Sequence, residues 1–351
     1  MSSRNLVIGM VFLSQTVAGV FGNLSVLYHY LFLYCSGGRL RSTDLIINHL
    51  LVANSLVLFS NGVPWTMVAF GWEQFLSDYG CKLLYYIYRV GRGVCIGSTC
   101  LLSIFQVIII SPRNSMWAEL KVKAPRNISL SISLCWHLIM LVNIIIPIDL
   151  TRHWRNDTIK MGKDLGFCSA KVADKITYPL YAALLSFPDA LCLGLMLWAS
   201  GSMVSILYRH KQRVQHIHRT SLSPRSSPDA RATQTILLLL STLVSFYTLS
   251  CIFQVCINVY DHPNIYVVNM AALFSVCFPT VSPFLLMGWV SIVFKLCFTR
   301  FHNGDVSFWG HLTGGTWYQF VSSGLLLTSL TYSALCQISP LETSYVSPRD
   351  Y

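Results

Sequence analysis

Charged side chains are scarce in this sequence. Asp, Glu, Lys and Arg make up 11% of its 351 residues, whereas hydrophobic residues make up 54%. A soluble globular domain carries roughly a quarter charged residues, so this composition excludes an ordinary soluble protein. Common enzyme signatures are missing as well: there is no His-Glu-x-x-His, Gly-x-Ser-x-Gly, phosphate-binding glycine loop or Cys-x-x-Cys pair. We therefore expect no enzymatic activity, no cofactor and no metal site.

Seven long apolar segments contain most of the hydrophobic residues. A helix needs ~20 mainly apolar residues to cross the hydrocarbon core of a bilayer. The segments are Leu6–Leu33, Leu45–Phe70, Leu83–Ile110, Ile128–Ile148, Ile176–Tyr208, Ile236–Val259 and Ile265–Met287. None alternates as the strands of a membrane β-barrel do, and the first is too long for a signal peptide. The sequence predicts an all-α membrane protein with a seven-transmembrane helix bundle.

The basic residues predict how this bundle is oriented. Lys and Arg are concentrated in the loops after the first, third and fifth segments and in the carboxyl-terminal tail. Basic loops stay on the cytoplasmic side of a membrane. We therefore expect an extracellular amino terminus, a cytoplasmic carboxyl terminus and a multi-pass location in the plasma membrane. The net charge of +11 is then a consequence of topology, and we favour this explanation over nucleic-acid binding.

Two cysteines and one asparagine are candidate modification sites on the outer face. Ten of the twelve cysteines fall in segments, at their cytoplasmic ends or in the tail, where thiols stay reduced. Cys81 and Cys168 face the oxidising side, and they form either one disulfide or two free thiols; we favour the disulfide. Asn156 belongs to an Asn-x-Thr motif in the second outer loop, so we predict that it carries a glycan.

Three charged residues fall inside apolar segments. Arg89 and Arg92 are three residues apart in the third segment and so share a helix face. Asp189 lies at a comparable depth in the fifth segment, directly after Pro188. Charges inside a membrane are usually paired or functional. The residues allow an ion pair between Asp189 and one arginine, a cavity in which at least one arginine binds an anionic or acceptor-rich small molecule, or an arginine that extends to the outer membrane surface.

Longer stretches of the sequence carry a resemblance to one family. They include RLRSTDLI (Arg39–Ile46), HLLVANSLVL (His49–Leu58), YRVGRGVCIGSTCLLSIFQ (Tyr88–Gln106), FPDALCLGLMLWASGSMV (Phe187–Val204) and LYRHKQRVQHIHR (Leu207–Arg219). Together with others they cover residues 1–300, in order. The chain resembles vomeronasal type-1 receptors, which are G-protein-coupled pheromone receptors. A bitter-taste receptor is the second choice within this class, and a transporter would need internal repeats that are not visible.

The resemblance implies what the chain does. It implies a receptor that binds small volatile or steroid-like pheromones within the bundle and activates an inhibitory-type heterotrimeric G protein. Gln106 stands where most seven-helix receptors carry the arginine of an acid-Arg-Tyr triplet, and Asn54 stands where they carry a sodium-binding aspartate. G-protein contact must then use other inner-face residues. The candidates are Gln106, Arg113, Arg209, Lys211 and Arg213.

The last part of the chain departs from this family. Residues 1–300 form the expected receptor bundle, whereas residues 301–351 have little charge and no resemblance that we identify. Polar residues interrupt the one apolar stretch there, Trp317–Ile338, so we favour a flexible tail over an eighth spanning helix. A shifted reading frame in a decaying gene would also give such a tail.

Overall fold

Helices make up nearly all of the described chain. The computed structural model of the protein describes residues 3–37, 42–72, 76–111, 118–144, 150–151, 162–164, 169–171, 177–217, 241–242, 244–250, 252–253 and 265–301. The long elements are α1 (Ser3–Cys35), α2 (Ser42–Val57), α3 (Val63–Ala69), α4 (Asp78–Ile110), α5 (Ala118–Asn143), α6 (Thr177–Ile217) and α7 (Ile265–Phe301). A π-helical turn, Leu58–Gly62, joins α2 to α3. Residues 244–250 are helical as well, and we refer to them as the 244–250 helix.

Five of the described helical stretches are long and apolar enough to cross a membrane. They are Leu6–Cys35, Ser42–Ala69, Tyr79–Ile110, Ser186–Ile206 and Val267–Leu286. They match the first, second, third, fifth and seventh predicted segments. The apolar part of α5, Asn127–Asn143, is shorter, and most of the sixth predicted segment lies outside the described residues. A helical membrane protein is therefore confirmed, while the count of seven spans and their orientation stay predictions.

Three helices extend well beyond their predicted segments, and one of them is α7, which continues past Met287 to Phe301. The helix α5 begins at Ala118, ten residues before the predicted start, and its first turns carry Lys121, Lys123 and Arg126. Hydropathy marks only the part that can enter a bilayer, whereas backbone hydrogen bonding continues into the polar flank. The helix α6 likewise runs on to Ile217 through the basic sequence that follows Tyr208.

The helix α4 lies at the centre of the described bundle. Of its most apolar stretch, 78% is buried, compared with 17% for the spanning part of α6. Small residues let α5 approach α4 closely. A methyl group added at Gly93 would lie 2.7 Å from Ile139 Cγ2, and one added at Gly97 would overlap Cys135 Sγ. Residues that project from α4 therefore belong to the most buried of the described spanning helices.

A small antiparallel sheet lies between α5 and α6 in the chain. Its strands are β1 (Leu150–Thr151), β2 (Gly162–Asp164) and β3 (Ser169–Lys171), in the order β1-β3-β2. Leu150 pairs with Ala170, and Lys163 also pairs with Ala170 from the other side. The sequence did not predict this sheet, because strands of two or three residues are too short to show alternation. Strand β1 contacts α4.

The chain divides into two units. The first, Met1–Leu286, contains every described candidate site residue, and the second is Met287–Tyr351. Of the second unit the structure describes residues 287–301, which are helical. The predicted division into a receptor bundle, 1–300, and a tail, 301–351, stays a prediction, because residues 302–351 lie outside the described chain.

Candidate functional site

Arg92 connects three parts of the bundle. Its side chain is only 5% exposed, and its Nε lies 3.7 Å from Oδ2 of Asp189 on α6. Its Nη1 donates a hydrogen bond to Ser250 Oγ at 2.6 Å. The guanidinium carbon lies 5.8 Å from the ring centroid of Tyr247, within the range of a cation–π interaction. The ion pair that the sequence allowed is therefore present, and Arg92 is the arginine that forms it.

Arg89 lies one turn towards the amino-terminal end of α4 and faces α5. Its Nε donates to Asn143 Oδ1 at 3.4 Å, which is long for a charged donor. The Asn143 Nδ2 in turn donates to the carbonyl of Ile139 at 2.8 Å, within α5. The two arginines on one face of α4 therefore contact different helices. Arg92 pairs with Asp189 of α6, and Arg89 donates a hydrogen bond to Asn143 of α5.

A small cavity lies between these side chains. Its lining residues come from α4, α5 and α6, and they are Arg89, Arg92, Gly93, Ile139, Val142, Asn143, Pro188 and Asp189. Two guanidinium groups and one carboxylate line it, so its described wall carries an excess of positive charge. The space open to the centre of a water molecule is ≈ 10 Å³, about enough for one water. A ligand pocket usually needs roughly 300 Å³ or more, so these helices must separate before a larger molecule enters.

A second polar cluster joins α1, α2, α4 and α7. Asn54 donates to Asn23 Oδ1 at 3.0 Å and to Ser282 Oγ at 2.8 Å, and Cys95 Sγ donates to Asn54 Oδ1 at 3.2 Å. All four residues are fully buried. Every group in the cluster is neutral, so it offers no carboxylate to a cation. Among the described residues, no three His, Cys, Asp or Glu side chains are placed to hold a metal ion.

Asn23 has a specific role in this cluster. Pro283 lies inside α7 and has no backbone N–H, so the carbonyl of Pro279, one turn earlier, loses its normal helical donor. Asn23 Nδ2 donates to that carbonyl at 2.8 Å. The same amide also donates to the carbonyl of Gly19 on its own helix at 2.7 Å. An α1 side chain therefore satisfies a backbone group that a proline leaves open in α7.

The inner-face candidates differ in their surroundings. Gln106 is 6% exposed, and its Oε1 has no hydrogen-bond partner within the described part of the chain. Next to it, Val107 packs with Ala199 and Met203 of α6. Arg209 is exposed in the carboxyl-terminal part of α6. Contact between Gln106 and a cytosolic partner therefore requires that neighbouring side chains move first.

Three other inner-face candidates are less fully described. Lys211 and Arg213 belong to the helical backbone of α6. Arg113 lies outside the described residues altogether. Direct contact of these three residues with a G protein stays a prediction.

Of the three outer-face candidates, Cys81 is among the described residues. Cys81 is 1% exposed and disulfide-bonded. Cys168 lies outside the described residues, so the pairing of these two cysteines stays a prediction. Its neighbour Ser169 begins β3, in the sheet whose strand β1 contacts α4. Asn156 also lies outside the described residues, and its glycosylation stays a prediction.

Sequence reasoning missed two residues of this site, Ser250 and Tyr247. Both contact Arg92 although they are more than 150 positions away in sequence. Hydrophobic periodicity assigns a residue to a helix face but does not say which helix that face meets. A charged residue inside an apolar segment was the available signal, because such a group needs several polar or aromatic partners.

Comparison with known proteins identifies the family. Residues 6–299 match a family described as "Vomeronasal organ pheromone receptor family". The human protein "Vomeronasal type-1 receptor 4" is 60% identical over 298 residues, which cover 85% of this chain and 99% of that protein. "Vomeronasal type-1 receptor 3" of Pan troglodytes is 51% identical over 82% of this chain and 92% of that protein. "Olfactory receptor class A-like protein 1" of Danio rerio is 31% identical over 80% of this chain and 88% of that protein. The chain therefore belongs to the vomeronasal organ pheromone receptor family, the type-1 vomeronasal receptors.

Proposed function

We propose that this chain is a G-protein-coupled chemosensory receptor of the plasma membrane. It binds small volatile or steroid-like pheromones within the helix bundle and activates an inhibitory-type heterotrimeric G protein. Family membership supports a receptor role. The observation that supports a ligand site within the bundle is the cavity between α4, α5 and α6, which is lined by Arg89, Arg92 and Asp189.

The charges of the cavity favour a ligand with an anionic or acceptor-rich group. Its described lining includes the guanidinium groups of Arg89 and Arg92 and a single carboxylate, that of Asp189. A carboxylate or sulfate could form short, paired hydrogen bonds with such a guanidinium. The apolar part of the ligand would then lie against Ile139 and Val142. Because the resting cavity has room for about one water, the ligand binds a wider conformation and shifts the population towards it.

Signalling then requires that this widening reaches the cytosolic side. Separation of α6 from α4 there would open a groove next to Gln106, because Val107 now packs on Ala199 and Met203 at that level. A helix of the G protein could dock in this groove. The basic residues Arg113, Arg209, Lys211 and Arg213 would surround it on the cytosolic side.

The outer face completes the proposal. A disulfide between Cys81 and Cys168 would fasten the second outer loop to the start of α4, and Asn156 would carry a glycan in the same loop. This arrangement places the amino terminus outside the cell and the carboxyl terminus in the cytosol. It agrees with the concentration of basic residues in the inner loops.

The test is a G-protein reporter assay in cells that express the receptor at a measured surface density. The ligand panel contains matched pairs of carboxylic acids and their methyl esters, together with neutral and sulfated steroids. Arg89→Gln should weaken responses to the acids by roughly 10-fold or more, since a charged hydrogen bond contributes ~1.5–3 kcal/mol. Responses to the esters should change little.

A matched variant controls for loss of positive charge on the same helix. Lys82→Gln removes a cation near the outer end of α4, away from the cavity lining, and should leave both ligand classes unaffected. Equal losses for acids and esters in Arg89→Gln would refute the ligand-binding role of this arginine. Substrate flux into receptor-containing vesicles, without nucleotide exchange on any G protein, would favour a transporter instead.

A further inference from the structure

The side chains around Arg92 form a junction between three helices. We define the Arg92 junction as Arg92 of α4, Asp189 of α6, and Ser250 and Tyr247 of the 244–250 helix. Their contacts are an ion pair, a short hydrogen bond and a cation–π interaction. We propose that this junction restrains the resting state of the receptor by holding α6 and the 244–250 helix against α4. The inference rests on the proposed function, in which these helices part during activation.

The junction connects the most buried of the described spanning helices to the least buried one. The helix α4 is largely buried, and its glycines bring α5 into close contact. By contrast, only 17% of the most apolar stretch of α6 is buried. Its buried described side chains are Met196, Ala199 and Met203, all inward of Asp189. The contact of Asp189 with Arg92 therefore joins α6 to α4 at a level of the helix above these three side chains.

The long distance between the two charged groups of the ion pair fits a contact that can be broken during activation. The distance of 3.7 Å between Arg92 Nε and Asp189 Oδ2 is longer than the ~2.7–2.9 Å of a charge-assisted hydrogen bond. A buried ion pair adds little net stability, because desolvation offsets most of the attraction. Such a pair can still select one helix arrangement over another. Loss of the Asp189 charge should therefore favour the conformation in which α6 moves away.

The position of the junction links it to the cavity. Arg92 and Asp189 both line the cavity and both belong to the junction. An anionic group that enters the cavity competes with Asp189 for the Arg92 guanidinium. The ligand and the substitution Asp189→Asn therefore weaken the same contact. This explains how binding at mid-membrane depth could release α6 without an arginine at position 106.

The experiment compares three variants in the full-length receptor without added ligand. Asp189→Asn removes one charge of the pair. The double variant Arg92→Gln with Asp189→Asn removes both charges and so leaves none uncompensated in the membrane. Ser200→Ala is the matched control on α6, because its hydroxyl bonds only to the carbonyl of Met196 on the same helix among the contacts that the structure describes.

Two readouts separate the junction from the G-protein step. The first is basal G-protein activation per receptor at the cell surface. The second uses purified receptor with trifluoromethyl-phenylalanine in place of Tyr208, which is 62% exposed near the inner end of α6. Its ¹⁹F spectrum reports the populations of α6 conformations and needs no G protein.

We expect both charge variants to raise the minor α6 population and the basal activity at least about five-fold, the low end of usual conformational coupling. Ser200→Ala should match the unsubstituted receptor. A wild-type population in either charge variant at normal surface density would overturn the proposal. If neither charge variant reaches the cell surface, the test uses Ser250→Ala, which removes only one hydroxyl of the junction. An unchanged ¹⁹F spectrum in Ser250→Ala would also overturn the proposal.

The two readouts keep the two proposals distinguishable. A shifted ¹⁹F spectrum without activation of any G protein would support the junction and refute the proposed signalling partner. Ligand responses in the unsubstituted receptor, with unchanged spectra in the charge variants, would refute the junction and leave the proposed function standing.

Discussion

The close contact between α4 and α5 gives a sharp prediction for Gly97. A methyl group at this position would overlap Cys135 Sγ, which lies directly across the helix interface. Because the overlap exceeds what a small adjustment relieves, Cys135 must leave its present rotamer or the two helices must separate. Overpacking of this kind usually costs ~1–3 kcal/mol. We therefore expect Gly97→Ala to destabilise the receptor, although alanine is the better helix former by about 1 kcal/mol.

A second glycine provides the control. A methyl group added at Gly201 of α6 would have no neighbour within 4 Å. Gly201→Ala should therefore be neutral or slightly stabilising, since it gains helix propensity without a collision. The comparison separates the effect of the interface from the effect of replacing glycine in a helix.

Thermal unfolding in detergent measures both variants. At roughly 2–4 °C per kcal/mol for a chain of this size class, Gly97→Ala should lower the melting temperature by several degrees. Adding Cys135→Ala removes the overlapping sulfur and should restore most of the loss, as expected for a directly coupled pair. A Gly97→Ala variant as stable as the unsubstituted receptor, or one that Cys135→Ala fails to rescue, would refute the packing argument.

Further predictions concern the polar cluster, the outer loop and the tail. Asn54→Ala removes three interhelical hydrogen bonds of the side-chain amide and should cost ~2–5 kcal/mol, given about 0.6–1.7 kcal/mol for each such bond in a membrane; an unchanged melting temperature would contradict this. Cys81→Ser and Cys168→Ser should each abolish surface staining, with no further loss when combined, and additive partial losses would argue against one bridge. Asn156→Gln should remove the glycosidase-sensitive mobility shift on a gel. A chain stopped after Arg300 should respond to ligands at least as strongly as the full chain in the reporter assay, and a lost response would show that the tail is needed.

The sequence predicted where the helices lie in the chain better than which helices contact each other. Apolar length identified five spans, because the bilayer imposes the same length on every crossing helix. The depths of Arg92 and Asp189 predicted that they could pair, because charges inside a membrane need a counter-charge. Helical periodicity put Arg89 and Arg92 on one face, yet it could not show that the first turns to α5 and the second to α6. Only the packing of three helices around α4 determines that difference.

Two other features of the structure, the short sheet and the contact between Asn23 and Pro279, could not be predicted from the sequence pattern. The short sheet between α5 and α6 has strands of two and three residues, below the length at which alternation is detectable. The contact of Asn23 with the Pro279 carbonyl follows from backbone chemistry once α1 is known to lie against α7. The sequence gives no signal that α1 lies against α7, because the contacting residues are far apart in the chain. The same is true of the contact between Arg92 and Ser250.

The location of charge in this bundle bears on how it can transmit a signal. Gln106, fourteen residues inward of Arg92, lies ~21 Å away along the axis of α4. Gln106 is neutral and buried, whereas the ion pair lies beside the cavity. The two levels share the α4–α6 interface, with Asp189 near one end and the packing of Met203 and Ala199 on Val107 near the other. A tilt of α6 that breaks the first contact must therefore strain the second. Weakening the inner contact alone, for example with Met203→Ala, should raise basal activity in the reporter assay while leaving the Arg92 junction intact.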